Sequence, residues 1–238
     1  MKTKAVIFDK DGTLLDFDKF WVPVSVYAVR DILQALNATF IPEEELLAGF
    51  GIKNGVTSIQ GTVSYGTYDD MTVSMQEVLV KNGVVIPYEQ AKKLLLESYH
   101  AHTNKGEFAP TCPNLKEVLS ALKNQGVKMF VVTSDDTVTA KKCLHNLGIY
   151  DYFTEILAAD GDHPAKPDPY YIHYLKEKYS FALDEMVMVG DTLADTQFAL
   201  NGKIDCVALA KTEENAEILR KQTPVVLPDP SNLLSVLK

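Results

Sequence analysis

The stretch Val6-Ile7-Phe8-Asp9-Lys10-Asp11-Gly12-Thr13-Leu14 decides how the rest of this chain is read. An apolar run from Ala5 to Phe8 stops at a carboxylate, a second carboxylate follows two residues later, and a Gly-Thr turn carries the chain away. This is the pattern of a buried strand that delivers two acids to its carboxyl end. In an open parallel sheet that end is where side chains meet ligands, because the connections diverge there and leave a crevice.

Outward from this strand, apolar residues recur at helical spacing from Val22 to Leu36, with Pro23 expected in the first turn, where its missing N–H costs little. Between Pro42 and Lys105 the spacing predicts helices over 42–50, over 69–82 with Gly83 as its stop, and over 87–103, and no buried strand. The segment 51–68, rich in glycine and hydroxyl side chains, reads as a loop. Ser64, Tyr65 and Tyr68 are its candidate substrate contacts, against the alternative of an ordinary surface loop.

From Pro113 onward helix and strand alternate, with helices over 114–124, 138–147, 168–179, 192–200 and 231–237 and strands over 127–132, 153–158, 186–189, 205–209 and 225–227. Repeated β-α units call for a parallel sheet with helices on both faces. The first strand then belongs with the second half of the chain. The expected architecture is α/β, a Rossmann-like core formed by 1–17 and 109–238, with 18–108 as an inserted α-helical cap domain.

Composition narrows the function. The 238 residues carry a net charge of -9, which argues against an extended basic surface for nucleic acid, while a few local cations can still hold a small anion. Cys112, Cys143 and Cys206 are widely spaced with no C-x-x-C pair, which suits a reducing compartment and neither a disulfide frame nor a structural zinc. Met1-Lys2-Thr3-Lys4 runs into a strand and not into a signal peptide, and no apolar run reaches membrane-spanning length. A cytoplasmic protein with no membrane partner is the expectation.

Three more polar clusters lie just beyond apolar runs: Thr133-Ser134-Asp135-Asp136, Gly190-Asp191-Thr192-Leu193-Ala194-Asp195, and Lys166 in Ala165-Lys166-Pro167-Asp168-Pro169. In a parallel sheet all of these reach the edge that carries Asp9 and Asp11. Asp9, Asp11, Asp191 and Asp195 would gather there, and carboxylates so close resist ionising together unless a cation joins them. A hard divalent ion with oxygen ligands answers this, and Mg2+ suits a few carboxylates plus water and a phosphate oxygen. Lys166, the Thr133 hydroxyl and nearby backbone N–H groups offer positive ends to an anion. Carboxylate nucleophile, metal and phosphate cradle together describe phosphoryl transfer.

Plainer readings stand beside each piece. Asp-x-Asp-Gly by itself also describes a turn, and an EF-hand is opposed by Leu14 and Phe20 standing where its glycine and glutamate belong. Thr133, Ser134 or Asp191 could cap the following helix, and Lys166 could be a solvated loop lysine. His100 and His102 are two apart and diverge on a helix, His163 reads as a rim residue, and Phe17, Phe20 and Trp21 read as packing.

In their order the four clusters resemble the haloacid dehalogenase superfamily, in the branch of Mg2+-dependent phosphatases whose helical cap is inserted between the first two motifs, nearest to phosphoglycolate phosphatase-like enzymes. The resemblance covers the α/β core through Asp9-Lys10-Asp11-Gly12-Thr13-Leu14, Thr133, Lys166 and Gly190 to Asp195, and the cap by position and helical content. It implies that Asp9 attacks phosphorus and ligates Mg2+, and that Asp11 acts as acid and then base. Thr133, the Ser134 N–H and Lys166 would bind the phosphoryl group. Asp191 would ligate Mg2+, and Asp195 would hold it through water or orient Lys166. The cap would close over the site and choose the leaving group.

Two positions depart from the family pattern: Lys10 stands where an apolar residue is usual, its charge facing either substrate or solvent, and Asp135 replaces a common asparagine and adds negative charge near the rim. The acid at Asp11 argues against the dehalogenase branch. The expected partner is a small phosphorylated metabolite, phosphoglycolate or a sugar phosphate, with the chain a monomer or weak homodimer. A phosphosugar mutase of the β-phosphoglucomutase kind shares these motifs, and a non-catalytic phospho-dependent regulator is the rival of another class, opposed by the long helical insertion.

Overall fold

The computed structural model describes residues 2–237. They form two compact units, one from the residues up to Asp16 together with those from Ala109 on, the other from Phe17–Phe108. Strand β1 (Ala5–Phe8) opens the first unit, and all four of its side chains are fully buried. A strand apolar on both faces is what a sheet covered on both sides requires.

The inserted unit is helical: α1 (Phe17–Ala35), α2 (Glu43–Gly49), a two-stranded hairpin of β2 (Ile52–Lys53) and β3 (Val56–Thr57), α3 (Thr62–Tyr65), α4 (Tyr68–Lys81) and α5 (Tyr88–His102). Helix α1 starts five residues earlier than expected, so Pro23 falls inside it and not in its first turn. Proline cannot donate to the carbonyl four residues back. That carbonyl, Lys19 O, instead accepts the Glu107 N–H at 3.0 Å, which keeps the helix intact across the proline.

The expected loop over 51–68 is also more ordered than its composition suggests. Asn54 and Gly55 adopt φ of 52° and 75°, the left-handed pair that a two-residue hairpin turn needs, and Asp18 of α1 accepts from both the N–H and the hydroxyl of Thr57. Thr67 and Asp70 cap α4 reciprocally. Phe20, Trp21 and Tyr99 pack in this unit's core, and the buried Tyr99 hydroxyl donates to Ser25 Oγ at 3.0 Å.

The first unit resumes with α6 (Leu115–Asn124), β4 (Lys128–Val132), α7 (Thr137–Leu147), β5 (Glu155–Leu157), α8 (Tyr170–Tyr179), β6 (Met186–Gly190), α9 (Leu193–Gly202), β7 (Asp205–Leu209), α10 (Glu213–Leu219) and β8 (Val225–Leu227). The strands make one sheet in the order β5-β4-β1-β6-β7-β8, parallel throughout, with β1 between β4 and β6. Alternate residues Ala5 and Ile7 of β1, Phe130 and Val132 of β4, and Met186 and Met188 of β6 pack with Ile172 and Leu175 of α8 and Phe198 and Ala199 of α9. Their neighbours Val6, Phe8, Met129, Val131, Val187 and Val189 are buried too, so both faces of the central strands are covered.

Three segments differ from the expected pattern. Helix α10 was not expected; it is short, seven residues, and Thr212 caps it by accepting from the Asn215 N–H. The closing segment is a 3-10 helix over Pro230–Ser235 and not an α-helix, with Pro230 in its first turn after the Asp229 cap. Helix α9 continues through Asn201 and Gly202 and ends where Lys203 turns left-handed at φ 58°.

Candidate active site

Asp9 leaves β1 still in register: its N–H donates to Val189 O of β6 at 2.9 Å, and its side chain is buried at the sheet's carboxyl end. Lys166 arrives from the loop before α8. Its Nζ donates to Asp9 Oδ1 and Asp195 Oδ1, both at 2.6 Å. That loop is tied down from α9, where Asn201 Nδ2 donates to Pro167 O at 2.9 Å.

Asp191 follows β6, and its Oδ1 accepts from the Thr13 hydroxyl at 3.0 Å. Asp195 sits in the first turn of α9 in a capping box with Thr192: its Oδ2 accepts the Thr192 N–H at 3.0 Å and the Thr192 hydroxyl at 2.6 Å, which leaves Oδ1 to Lys166. Two glycines make room for these acids. Gly12 turns at φ +78°, and a Cβ there would lie 2.0 Å from Asp191 Oδ2; a Cβ on Gly190 would lie 2.4 Å from Asp195 Cβ.

One oxygen from each of Asp9, Asp191 and Asp195 lies within 4.8 Å of the others. Burial pushes the Asp9 carboxyl up to about 7; Lys166 pulls against this, and Asp195 and Asp11 add to it. Burial, then the Asp9 and Asp195 charges, push Asp191 up well beyond the carboxylate range as well. Burial alone would lower Lys166, but Asp195 and Asp9 outweigh it and raise the ammonium. Three converging acids and a single bridging lysine leave a negative excess, and an all-oxygen donor set suits a hard divalent cation and not a soft one.

Asp11 does not join this group. The expected cluster of four carboxylates is a cluster of three, because the Asp11 Oδ2 is drawn aside by Lys10 Nζ at 2.5 Å. Lys10 does not face solvent. It is fully buried, with Asp135 Oδ2 at 3.0 Å and Cys143 Sγ of α7 at 3.9 Å. Asp135 is buried as well, which corrects its expected place at the rim. Alternation explains the split: one residue beyond Asp9, the chain turns Lys10 away from Lys166 and α9 and towards α7.

Just beyond β4 the Thr133 N–H extends the ladder to Leu157 O at 3.0 Å, and its hydroxyl accepts the Asp135 N–H at 3.1 Å. Ser134 is half-buried beside it. Neither caps the next helix; Asp136 does, accepting from Val138 N–H at 2.9 Å and Thr139 N–H at 3.0 Å. His163 stacks on Tyr170 with ring centroids 4.5 Å apart.

In the inserted unit, Ser64 Oγ is buried without a hydrogen-bond partner, and so is Thr62 Oγ1, which the sequence did not single out. Tyr65 is exposed, and the Tyr68 ring packs edge-on against Tyr99 and His100. His102 pairs with Asp31 at 2.6 Å. Among the described residues no helix is long and apolar enough to cross a membrane.

Residues 3–202 match the model of a hydrolase family described as haloacid dehalogenase-like hydrolase, and the chain belongs to that family. It is 29% identical over 237 residues to a phosphoglycolate phosphatase of Vibrio parahaemolyticus, covering 98% of this chain and 96% of that protein. A phosphoglycolate phosphatase of Photobacterium profundum is 27% identical over 239 residues, covering 99% and 96%. A crystal structure of a predicted phosphoglycolate phosphatase from Haemophilus somnus superposes with a TM-score of 0.74 at 22% identity, over 100% of this chain and 99% of that one, a likeness that speaks for the fold.

Proposed function

We propose that this protein is a Mg2+-dependent phosphatase that hydrolyses a small phosphorylated metabolite, of the phosphoglycolate or sugar phosphate class, through a phosphoryl group carried on Asp9. The observation that carries the reading is the convergence of Asp9, Asp191 and Asp195 around Lys166 at the carboxyl end of the central strand. The name shared by the relatives from Vibrio and Photobacterium points to the same class of substrate.

In this reading an Asp9 oxygen forms a bond to phosphorus as the ester P–O bond breaks, and Asp11 gives its proton to the departing oxygen. Water then attacks phosphorus, Asp11 takes the water's proton, and the P–O bond to Asp9 breaks to restore the carboxylate and release phosphate. Lys166, the Thr133 hydroxyl and the Ser134 N–H hold the phosphoryl oxygens. Asp9, Asp191 and Asp195 would hold Mg2+, which supplies charge neutralisation for the incoming dianion when bound. Substrate choice is assigned to the inserted unit, through Ser64, Tyr65 and Tyr68. The three unpaired thiols, Cys112, Cys143 and Cys206, suit a reducing, cytoplasmic setting.

The test is phosphate release from a panel of phosphoglycolate, sugar phosphates and nucleotides, with and without Mg2+, using Asp9→Asn as the blank. Metal-dependent release above that blank is expected, with Asp9→Asn slower by about 10^4-fold or more and still folded. Full activity in Asp9→Asn would remove the mechanism, and isomerised sugar phosphate in place of free phosphate would make the protein a mutase.

A further inference from the structure

Lys10 is a buried charged group that the proposed chemistry does not use. It sits one residue from the nucleophile, is fully buried, and is wedged between Asp11 Oδ2 at 2.5 Å and Asp135 Oδ2 at 3.0 Å, with Cys143 Sγ of α7 at 3.9 Å. Asp135 is itself fixed from several sides. Its Oδ1 accepts the Asp136 N–H at 2.8 Å, its N–H donates to Thr133 Oγ1 at 3.1 Å, and its carbonyl accepts the Ala159 N–H at 2.9 Å beyond β5. The ammonium is therefore pinned to the loop after β4 and reaches from there to one oxygen of Asp11.

Stability gives little reason for such an arrangement, since apolar residues of similar volume commonly replace a buried ion pair without loss. What apolar residues cannot do is draw the Asp11 carboxylate to a set place through a charged contact. We propose that Lys10, anchored by Asp135, is a positioning residue that holds the Asp11 carboxyl in the place from which it exchanges its proton with the leaving group. The inference rests on the phosphatase reading, in which Asp11 moves the proton. It also joins the two departures from the family pattern into one device: a lysine at position 10 calls for a buried acid at 135, and the acid calls for the lysine.

The test separates placing from packing. Phosphate release is measured for the wild type, Lys10→Met and the double variant Lys10→Met/Asp135→Asn. Each is given p-nitrophenyl phosphate, whose leaving group needs little protonation, and the alkyl phosphate from the panel that the wild type hydrolyses best. Thermal midpoints are taken alongside. Lys10→Met removes the ammonium that pairs with Asp11 and the buried Asp135 and is expected to melt early, whereas the double variant regains most of the wild-type midpoint. In that folded double variant, release from the alkyl ester is expected to fall about tenfold or more while release from p-nitrophenyl phosphate falls less than about threefold.

Wild-type-like rates on both esters in the double variant would overturn the placing role, and so would an equal loss on both. Should neither Lys10 variant fold, Asp135→Asn decides: Lys10 then loses its anchor, and release from the alkyl ester is expected to fall about threefold or more relative to release from p-nitrophenyl phosphate. An unchanged ratio in a folded Asp135→Asn would show that Asp11 needs no anchored lysine and would overturn the proposal. A wild type that releases phosphate from neither ester brings down the phosphatase reading and this inference together, whereas an active wild type with unselective variants brings down only the role of Lys10.

Discussion

Lys166 and Lys10 are two buried lysines, each wedged between two carboxylates at the end of β1, and the third acid near Lys166 makes them different. With every group ionised, Lys10 leaves Asp11 and Asp135 with one excess negative charge, while Lys166 leaves Asp9, Asp191 and Asp195 with two. The first cluster is close to closed. The second carries the larger excess, which shows in burial and mutual repulsion holding Asp9 and Asp191 above the usual carboxylate range, and in the proposed function a divalent ion would neutralise it. In the proposed reading the same local motif, an ammonium between two acids, serves as a fastening where the charges nearly balance and as a receptive site where they do not.

The largest effect that bears on this contrast is expected from Lys166→Met. It strands Asp9 and Asp195, with a cost of about 3–5 kcal/mol in the metal-free protein, and in the proposed mechanism it removes a hydrogen-bond donor to the phosphoryl oxygens, with a loss of about 10^2-fold or more in kcat. Because a divalent ion can replace the lysine's charge here, Mg2+ should restore part of the stability, as read from urea midpoints. Lys10→Met should gain nothing extra from Mg2+, and equal recovery in both variants would break the distinction between an open and a closed cluster.

Next in size is the effect of the metal on the wild type. The Asp9 carboxyl rises from 3.8 to about 7 on folding, so the folded chain holds the extra proton between those values. The metal-free protein therefore loses stability as pH climbs from about 4 to about 7. Mg2+ at about a hundredfold over its Kd should add about 2–3 kcal/mol, and more at about pH 8 than at about pH 5.5, where protons compete for Asp9. Thermal midpoints in Mg2+ and in EDTA at the two pH values check this; a gain no larger at the higher pH would mean that Asp9 is ionised throughout.

The smallest effect sharpens the role of Asp191. Thr13→Val removes the single hydroxyl that orients its Oδ1 and should cost about 1 kcal/mol of stability with a roughly tenfold weaker Mg2+ affinity. Titration calorimetry reads the second quantity. An unchanged affinity would show that the Gly12 turn alone places Asp191.

Much of this was open to reading in the chain. The core strands are short apolar runs buried on both faces, so β1, β4, β6 and β7 stand out from their flanking turns, and a parallel sheet then gathers whatever polar residues follow them. Asp9, Asp191 and Asp195 were legible for that reason, Lys166 by its place in the loop beyond β5, and the structure brings them within hydrogen-bond or ligand distance of one another. The hairpin at Asn54-Gly55 carried a turn signal in plain view that the glycine-rich surroundings obscured. Pro23 misled because a helix start is inferred from proline's own missing N–H, whereas the partner that satisfies Lys19 O lies at Glu107, far along the chain.

The residue order by itself determined which acids stand at strand ends, and hence the sheet, the inserted helical unit and the kind of chemistry at their disposal. Only the tertiary structure decided how those acids divide. Lys10 and Asp135 were visible as two separate oddities, and what joins them is contact between the ends of neighbouring strands, just as Lys166 reaches Asp9 across 157 positions and Thr13 reaches Asp191 across 178. Apolar spacing is local and can be read along the chain. The balance of charge in a buried cluster depends on which distant groups share the same few ångströms, and folding alone brings them there.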